Sequence, residues 1–205
     1  MFNNPFDRKY QEINEIVTRL AYVAEQKEWD NRKHLDRVRN YSLILASHLS
    51  LTKDEALVFS IASQLHDIGK AFMPDELLKR SGNYSPEEWS LIEKHTIQGA
   101  KTLESSVSPV LQTGSVIALT HHERWDGSGY PSHLKKEEIP LSGRIFAIVD
   151  VFDALTSNRS YKSITSDEDA LKMIKDSAGV LFDPQITKVF ESRFSELLKI
   201  KKSPQ

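Results

Sequence analysis

The chain has 205 residues, 39% hydrophobic and 27% charged, which fits one large globular domain or two small ones. Its 27 basic and 29 acidic side chains leave a formal net charge of −2, with no overall pull toward a DNA or RNA polymer or an anionic membrane, so an anionic ligand must meet a local basic cluster. Cysteine is absent, which excludes disulfides, zinc–thiolate sites and cysteine nucleophiles; any metal site must use histidine and carboxylate, a set suited to iron, manganese or zinc in catalysis.

The first residues, MFNNPFDRKYQEIN, show no basic stretch leading into an apolar run. No segment approaches the ~20 consecutive apolar residues of a membrane span. A cytoplasmic protein without membrane insertion is expected. In chain order, Ile13, Ile16, Val17, Leu20 and Val23 mark one stripe of a helix over Tyr10 to Gln26. Asp30 and Asn31 can cap a second helix carrying Leu35, Val38, Leu43, Leu45, Ala46 and Leu49. Thr52 to Glu55 is a capping box for a third, expected to run to about His66. Phe72 to Tyr84 reads as a connector or a lid. Ser85-Pro86-Glu87-Glu88 opens another helix that continues through Trp89, Ile92 and His95 toward Leu103. Further helices are expected over Pro109 to His122, Leu141 to Thr156 and Asp167 to Ala178, and from Asp183-Pro184 onward. Nothing alternates with period two for long enough to make a strand, so the fold class is all-α. Glu123 to Pro140, with Gly127, Gly129, Pro131 and Pro140, is unusually long and irregular for a connector, the mark of a functional or a disordered segment. Lys199 to Gln205 reads as a frayed, solvated end.

Several ionisable residues sit badly with a purely structural role. His66-Asp67 follows Phe59, Ile61, Ala62 and Leu65, and a buried aspartate needs a partner or a metal. Neighbours on a helix point ~100° apart, so the pair can converge on an ion only at a helix end. Lys70, four residues after His66, would then stand beside a phosphate. Asp150 lies in the apolar run Ile145 to Phe152 and Asp153 directly follows it; burying two carboxylates in this helix would cost several kcal/mol without a metal or an arginine. His121 and His122 sit side by side where a helix meets the irregular loop. With His34 and His95 these residues form a series from separate helices, enough for two ions with Asp67 between them. His48 and His133 fall outside it. Trp125 and Tyr130 suit base stacking, docking or simple anchoring of the loop.

The motifs HDIGK at 66–70, HHERWDGSGYP at 121–131 and RIFAIVDVFDALTSNRSYK at 144–162 resemble the HD-GYP branch of the HD superfamily of metal-dependent phosphohydrolases. So do EEWSLIEKHTIQGA, EEIPL and FDP, and the likeness runs over roughly residues 30 to 190. It implies a single compact multi-helix domain at 30–199, after an N-terminal helical extension at 1–29 and before a tail at 200–205. It implies cyclic di-GMP hydrolysis to linear pGpG, GMP or both, with the mixed cyclic GMP-AMP as an alternative substrate. A further alternative is a non-catalytic module whose GYP loop docks diguanylate cyclase domains. By matching positions the metal ligands are His34, His66, Asp67, His95, His121, His122 and Asp150, holding two iron or manganese ions. Asp30, where trinuclear members carry glutamate, leaves a third ion open. Asp67 and Lys70 take the catalytic roles. Lys70, Gly129, Tyr130, Arg159 and Lys162 face the substrate, with Asp153 as an orienting or ligand-supporting carboxylate. The chain departs from the family pattern at Asn158-Arg-Ser-Tyr-Lys162, which lacks a proline, and at His133 to Glu137.

Overall fold

A computed structural model describes residues 8–25, 31–80, 82–157 and 165–202. Nine α-helices are found among them: α1 (Arg8–Glu25), α2 (Asn31–Ala46), α3 (Lys53–Ala62), α4 (Asp75–Leu78), α5 (Pro86–Leu103), α6 (Pro109–Thr120), α7 (Leu141–Thr156), α8 (Asp167–Asp176) and α9 (Pro184–Lys202). Short 3-10 turns cover Ser63–Leu65, Ile68–Phe72 and Lys136–Glu138. No strand occurs among the described residues, only an isolated bridge between Ala178 and Phe182. The all-α expectation holds. No described helix is long and apolar enough to cross a membrane.

The helix starts follow the local chemistry. Thr52 Oγ1 accepts from Glu55 N at 3.3 Å while Thr52 N donates to Glu55 Oε2 at 2.7 Å. Ser85 and Glu88 repeat that reciprocal pair at 3.3 and 2.8 Å, with Pro86 at the first helical position. Each satisfies two amides that the first turn would otherwise leave unpaired. Asp30, expected to help cap α2, lies outside the described residues.

Helix α7 forms the centre. Ile145, Phe146, Ile148, Val149 and Phe152 are all buried, so apolar side chains surround most of its circumference. Phe152 packs on Tyr41 of α2 and on Phe190 of α9, with ring centroids 5.3 and 5.2 Å apart. Val17 and Ala21 place α1 in the same core, and Thr18 donates to Gln64 at 2.7 Å. The C-terminal end is more ordered than expected, because α9 runs to Lys202, with Leu197 fully buried and Lys201 paired with Asp167.

Two departures from simple helical periodicity shape the site. Helix α3 stops at Ala62, not His66, and the chain tightens into the 3-10 turn Ser63–Leu65. Buried Ser60, Ser63 and Gln64 each hydrogen-bond to a carbonyl three residues back, at 2.9, 2.8 and 3.2 Å. Such bonds compete with the regular i to i−4 ladder. Next, Gly69 lets the following turn press onto α5: a Cβ there would lie 1.9 Å from His95 O and 2.6 Å from Gly99 N. Only glycine permits that approach.

Candidate metal centre

The turn after α3 ends at His66, and Asp67 follows with φ −102° and ψ 12°. This bridge conformation lies outside the helical wells and is common at active sites. It resolves the problem of two neighbours on one helix, because His66 Nε2 and Asp67 Oδ2 come within 3.1 Å. Across Gly69, α5 brings in His95, whose Nε2 is 3.3 Å from Asp67 Oδ1. The end of α6 brings in His121, its Nε2 3.7 Å from the same oxygen.

Two sets of ligand atoms result. His95, His121 and His122 form one; His34, His66 and Asp150 form the other; within each set the atoms lie within 4.8 Å of one another. Asp67 stands between them, with Oδ2 beside His66 and Oδ1 beside His95 and His121. Oδ1 is buried and has no hydrogen-bond partner. A buried carboxylate oxygen without a donor is costly, and a divalent cation would satisfy it. The residues therefore fit a metal pair.

The imidazoles are set up to ligate through Nε2. His66 Nδ1 contacts Ser63 O at 3.1 Å, His95 Nδ1 contacts Ile92 O at 2.6 Å, and His121 Nδ1 contacts Ile117 O and Ala118 O at 3.1 and 3.0 Å. A carbonyl only accepts, so each Nδ1 carries the proton and each Nε2 offers its lone pair. His34 is oriented differently, with Nδ1 2.7 Å from Asp153 Oδ2. Arg37 grips Asp153 in turn, Nε to Oδ1 at 2.6 Å and Nη2 to Oδ2 at 3.0 Å.

Burial sets much of the electrostatics. It pushes His121 well below the ordinary histidine value, does the same to His122 with His121 adding to the effect, and lowers His95. All three favour the neutral form that binds metal. Burial alone would raise the Asp67 carboxyl, but Lys70 first, then His66 and His95, hold it well below the usual range. Lys70 Nζ lies 2.7 Å from Asp67 Oδ2. Asp153 likewise stays ionised against its burial, held down by His34 and Arg37.

The loop after α6 closes one side. Tyr130 N donates to His122 O at 3.2 Å, and the Tyr130 ring stacks on His122 at 4.7 Å between centroids. The Tyr130-Pro131 peptide is cis. Gly129, expected to line the substrate pocket, is buried beneath the loop; a Cβ there would lie 2.4 Å from His122 O and Arg124 N. Its contribution is the close approach that lays Tyr130 over His122. Of the substrate-orienting and ligand-supporting roles expected of Asp153, the geometry favours the second. That carboxylate is 1% exposed and both oxygens are engaged by His34 and Arg37, so it orients a ligand. Trp125 anchors the loop: its N donates to Leu181 O at 3.1 Å, its O accepts from Lys136 N at 2.9 Å, and Arg144 lies over its ring. His48 and His133 are exposed, outside the cluster as expected. Asp30, Arg159 and Lys162 lie outside the described residues.

Two residues escaped the sequence reading. Arg37 supplies the arginine that a carboxylate in α7 required, and its spacing of three from His34 was the available signal. Glu123 is buried and accepts from Ser132 N at 2.7 Å and Leu134 N at 3.1 Å, pinning the loop from within. It looked like part of a histidine-rich motif, whereas its work is done on backbone amides.

A helical domain with two histidine–carboxylate sets sharing one aspartate is an arrangement that could hold a pair of metal ions. The HD domain family model matches residues 15–186, and the chain belongs to that family, in its HD-GYP branch. A cyclic di-GMP phosphodiesterase of Thermotoga maritima is 39% identical over 186 residues, covering 90% of this chain and 50% of that protein. A 3'3'-cGAMP-specific phosphodiesterase of Vibrio cholerae is also 39% identical, covering 92% of this chain and 36% of that protein. The chain thus spans half or less of these relatives' lengths. Among solved structures, a cyclic GMP-AMP-specific phosphodiesterase of Vibrio cholerae superposes with a TM-score of 0.64 at 21% identity, over 94% of this chain and 54% of that one. An HDGYP protein of Bdellovibrio bacteriovorus gives 0.63 at 20% identity, over 96% of this chain and 66% of that one. These two show a shared fold.

Proposed function

We propose that the chain hydrolyses a cyclic dinucleotide, cyclic di-GMP first, to linear pGpG, GMP or both. The observation that carries this reading is Asp67, buried between the two ligand sets with an oxygen that lacks any donor. His95, His121 and His122 would hold one ion and His34, His66 and Asp150 the other, with Asp67 bridging, iron or manganese being the metals this donor set suits. Such a pair supplies positive charge to a phosphodiester and a nucleophile at neutral pH.

The chain's own residues supply the rest. Lys70, against Asp67, adds a fixed positive charge beside the scissile phosphate. Burial, with Asp67 next, pushes the Tyr130 phenol up, so it stays protonated and able to donate to a phosphate or leaving oxygen. Arg159 and Lys162, by their positions in the sequence motif, would add positive charge for the substrate phosphate. The names of the relatives support both substrates: cyclic di-GMP in one case, 3'3'-cGAMP in the other.

The test is turnover of each cyclic dinucleotide by protein loaded anaerobically with iron or manganese. Hydrolysis of cyclic di-GMP that Asp67→Ala abolishes is the expected result. Turnover of the mixed dinucleotide alone would reassign the substrate. A fully loaded protein that cleaves neither would contradict the enzymatic reading and leave the docking of a diguanylate cyclase domain as the alternative.

A further inference from the structure

A line of aromatic rings runs outward from the metal centre and the reaction as derived uses only its inner end. Tyr130 stacks on His122, Trp89 stands edge-on to Tyr130 at 6.2 Å and 80°, and Tyr84 lies 6.2 Å beyond Trp89. Trp89 is 45% exposed and sits two ring contacts from His122 of the metal centre. The half-open indole leaves an aromatic surface that a ligand at the metal centre can cover.

The outer rings are held in place. Ser85 and Glu88 fix the first turn of α5, which carries Trp89. Arg80 pairs with Glu88, and Tyr84 Oη donates to Leu77 O at 3.2 Å, tying the preceding segment to that turn. Trp125 offers no comparable surface, since its backbone is bonded on both sides and its ring lies under Arg144.

The geometry points to Trp89, backed by Tyr84, as the stacking platform for one purine base of the cyclic dinucleotide whose phosphate lies at the metal centre. This deepens the proposed function and rests on it. A nucleotide places its base one sugar away from its phosphate, which matches a platform next to Tyr130 rather than on it. Indole stacking accepts any purine face, so guanine and adenine are held alike and their discrimination falls to groups that read base edges.

The experiment compares wild type, Trp89→Ala and Trp89→Phe, each metal-loaded, on cyclic di-GMP and on the mixed cyclic GMP-AMP. Loss of one base stack raises KM by about tenfold or more, for whichever dinucleotides wild type cleaves, with kcat and metal content unchanged. Phenylalanine restores part of the loss. A cyclic dinucleotide bearing 2-aminopurine gives a second readout: its fluorescence is quenched on binding wild type and not on binding Trp89→Ala. An unchanged KM, or an equal fall in kcat with loss of metal, overturns the platform and assigns Trp89 to packing. Failure of the wild-type protein to bind or cleave any cyclic dinucleotide overturns the proposed function itself, a different result from a wild-type enzyme indifferent to Trp89.

Discussion

The two ligand sets that meet at Asp67 are built in different ways. In the set of His95, His121 and His122 the first two are buried, and both are aimed by carbonyls one helical turn back in their own helices. The set of His34, His66 and Asp150 is more open, and His34 is aimed by Asp153, 119 residues away, with Arg37 behind it. Local backbone bonds make the first set robust to change elsewhere in the chain. A charged side-chain relay makes the second one adjustable and also easier to break.

Mutations can separate the two designs. Asp67→Ala removes the group common to both and should have the largest effect: activity at or near background and at least one ion lost, read by turnover and metal analysis. Asp153→Asn should weaken metal affinity at the His34 set by about 10–100-fold and leave the His95 set intact, read by titration with manganese. If both sets weaken equally, the sites are not independently supported. Gly69→Ala should destabilise the fold by about 1–3 kcal/mol or more, because its Cβ meets the His95 carbonyl, with the shift seen in thermal unfolding.

The smallest effect concerns pH. His95, His121 and His122 have values below the ordinary 6.5, so the unfolded chain binds protons that the folded chain refuses. The metal-free protein should therefore lose stability as pH falls below about 6.5. Asp67 and Asp153, also held low, contribute stability that is lost only in more acid solution, below the ordinary 3.8. Melting temperatures between pH 8 and 5 check the histidine component; replacing His122 with glutamine should flatten the slope.

The helices and their starts were readable because their causes are local, as at Thr52-Glu55 and Ser85-Glu88. The positions that gather into the cluster were readable because polar groups stood inside apolar runs, as His66-Asp67 and Asp150 do. The break in α3 was not, because it depends on Ser60, Ser63 and Gln64 being buried enough to bond back onto carbonyls three residues earlier. The choice between the two roles open to Asp153 was hidden for a related reason: the motif shows a carboxylate near the site, but only packing of α2 on α7 shows that Arg37 and His34 occupy both its oxygens. The role of Gly129 also depends on a contact across the loop.

The central claim is that Asp67 joins two ion sites in one centre. The most direct measurement is the number of manganese ions bound per chain, by calorimetric titration of metal-free wild type and of Asp67→Asn. The account predicts about two ions in the wild type, with Asp67→Asn losing one or binding both far more weakly. Two ions bound with unchanged affinity in Asp67→Asn, or a folded wild type that binds none, would contradict it.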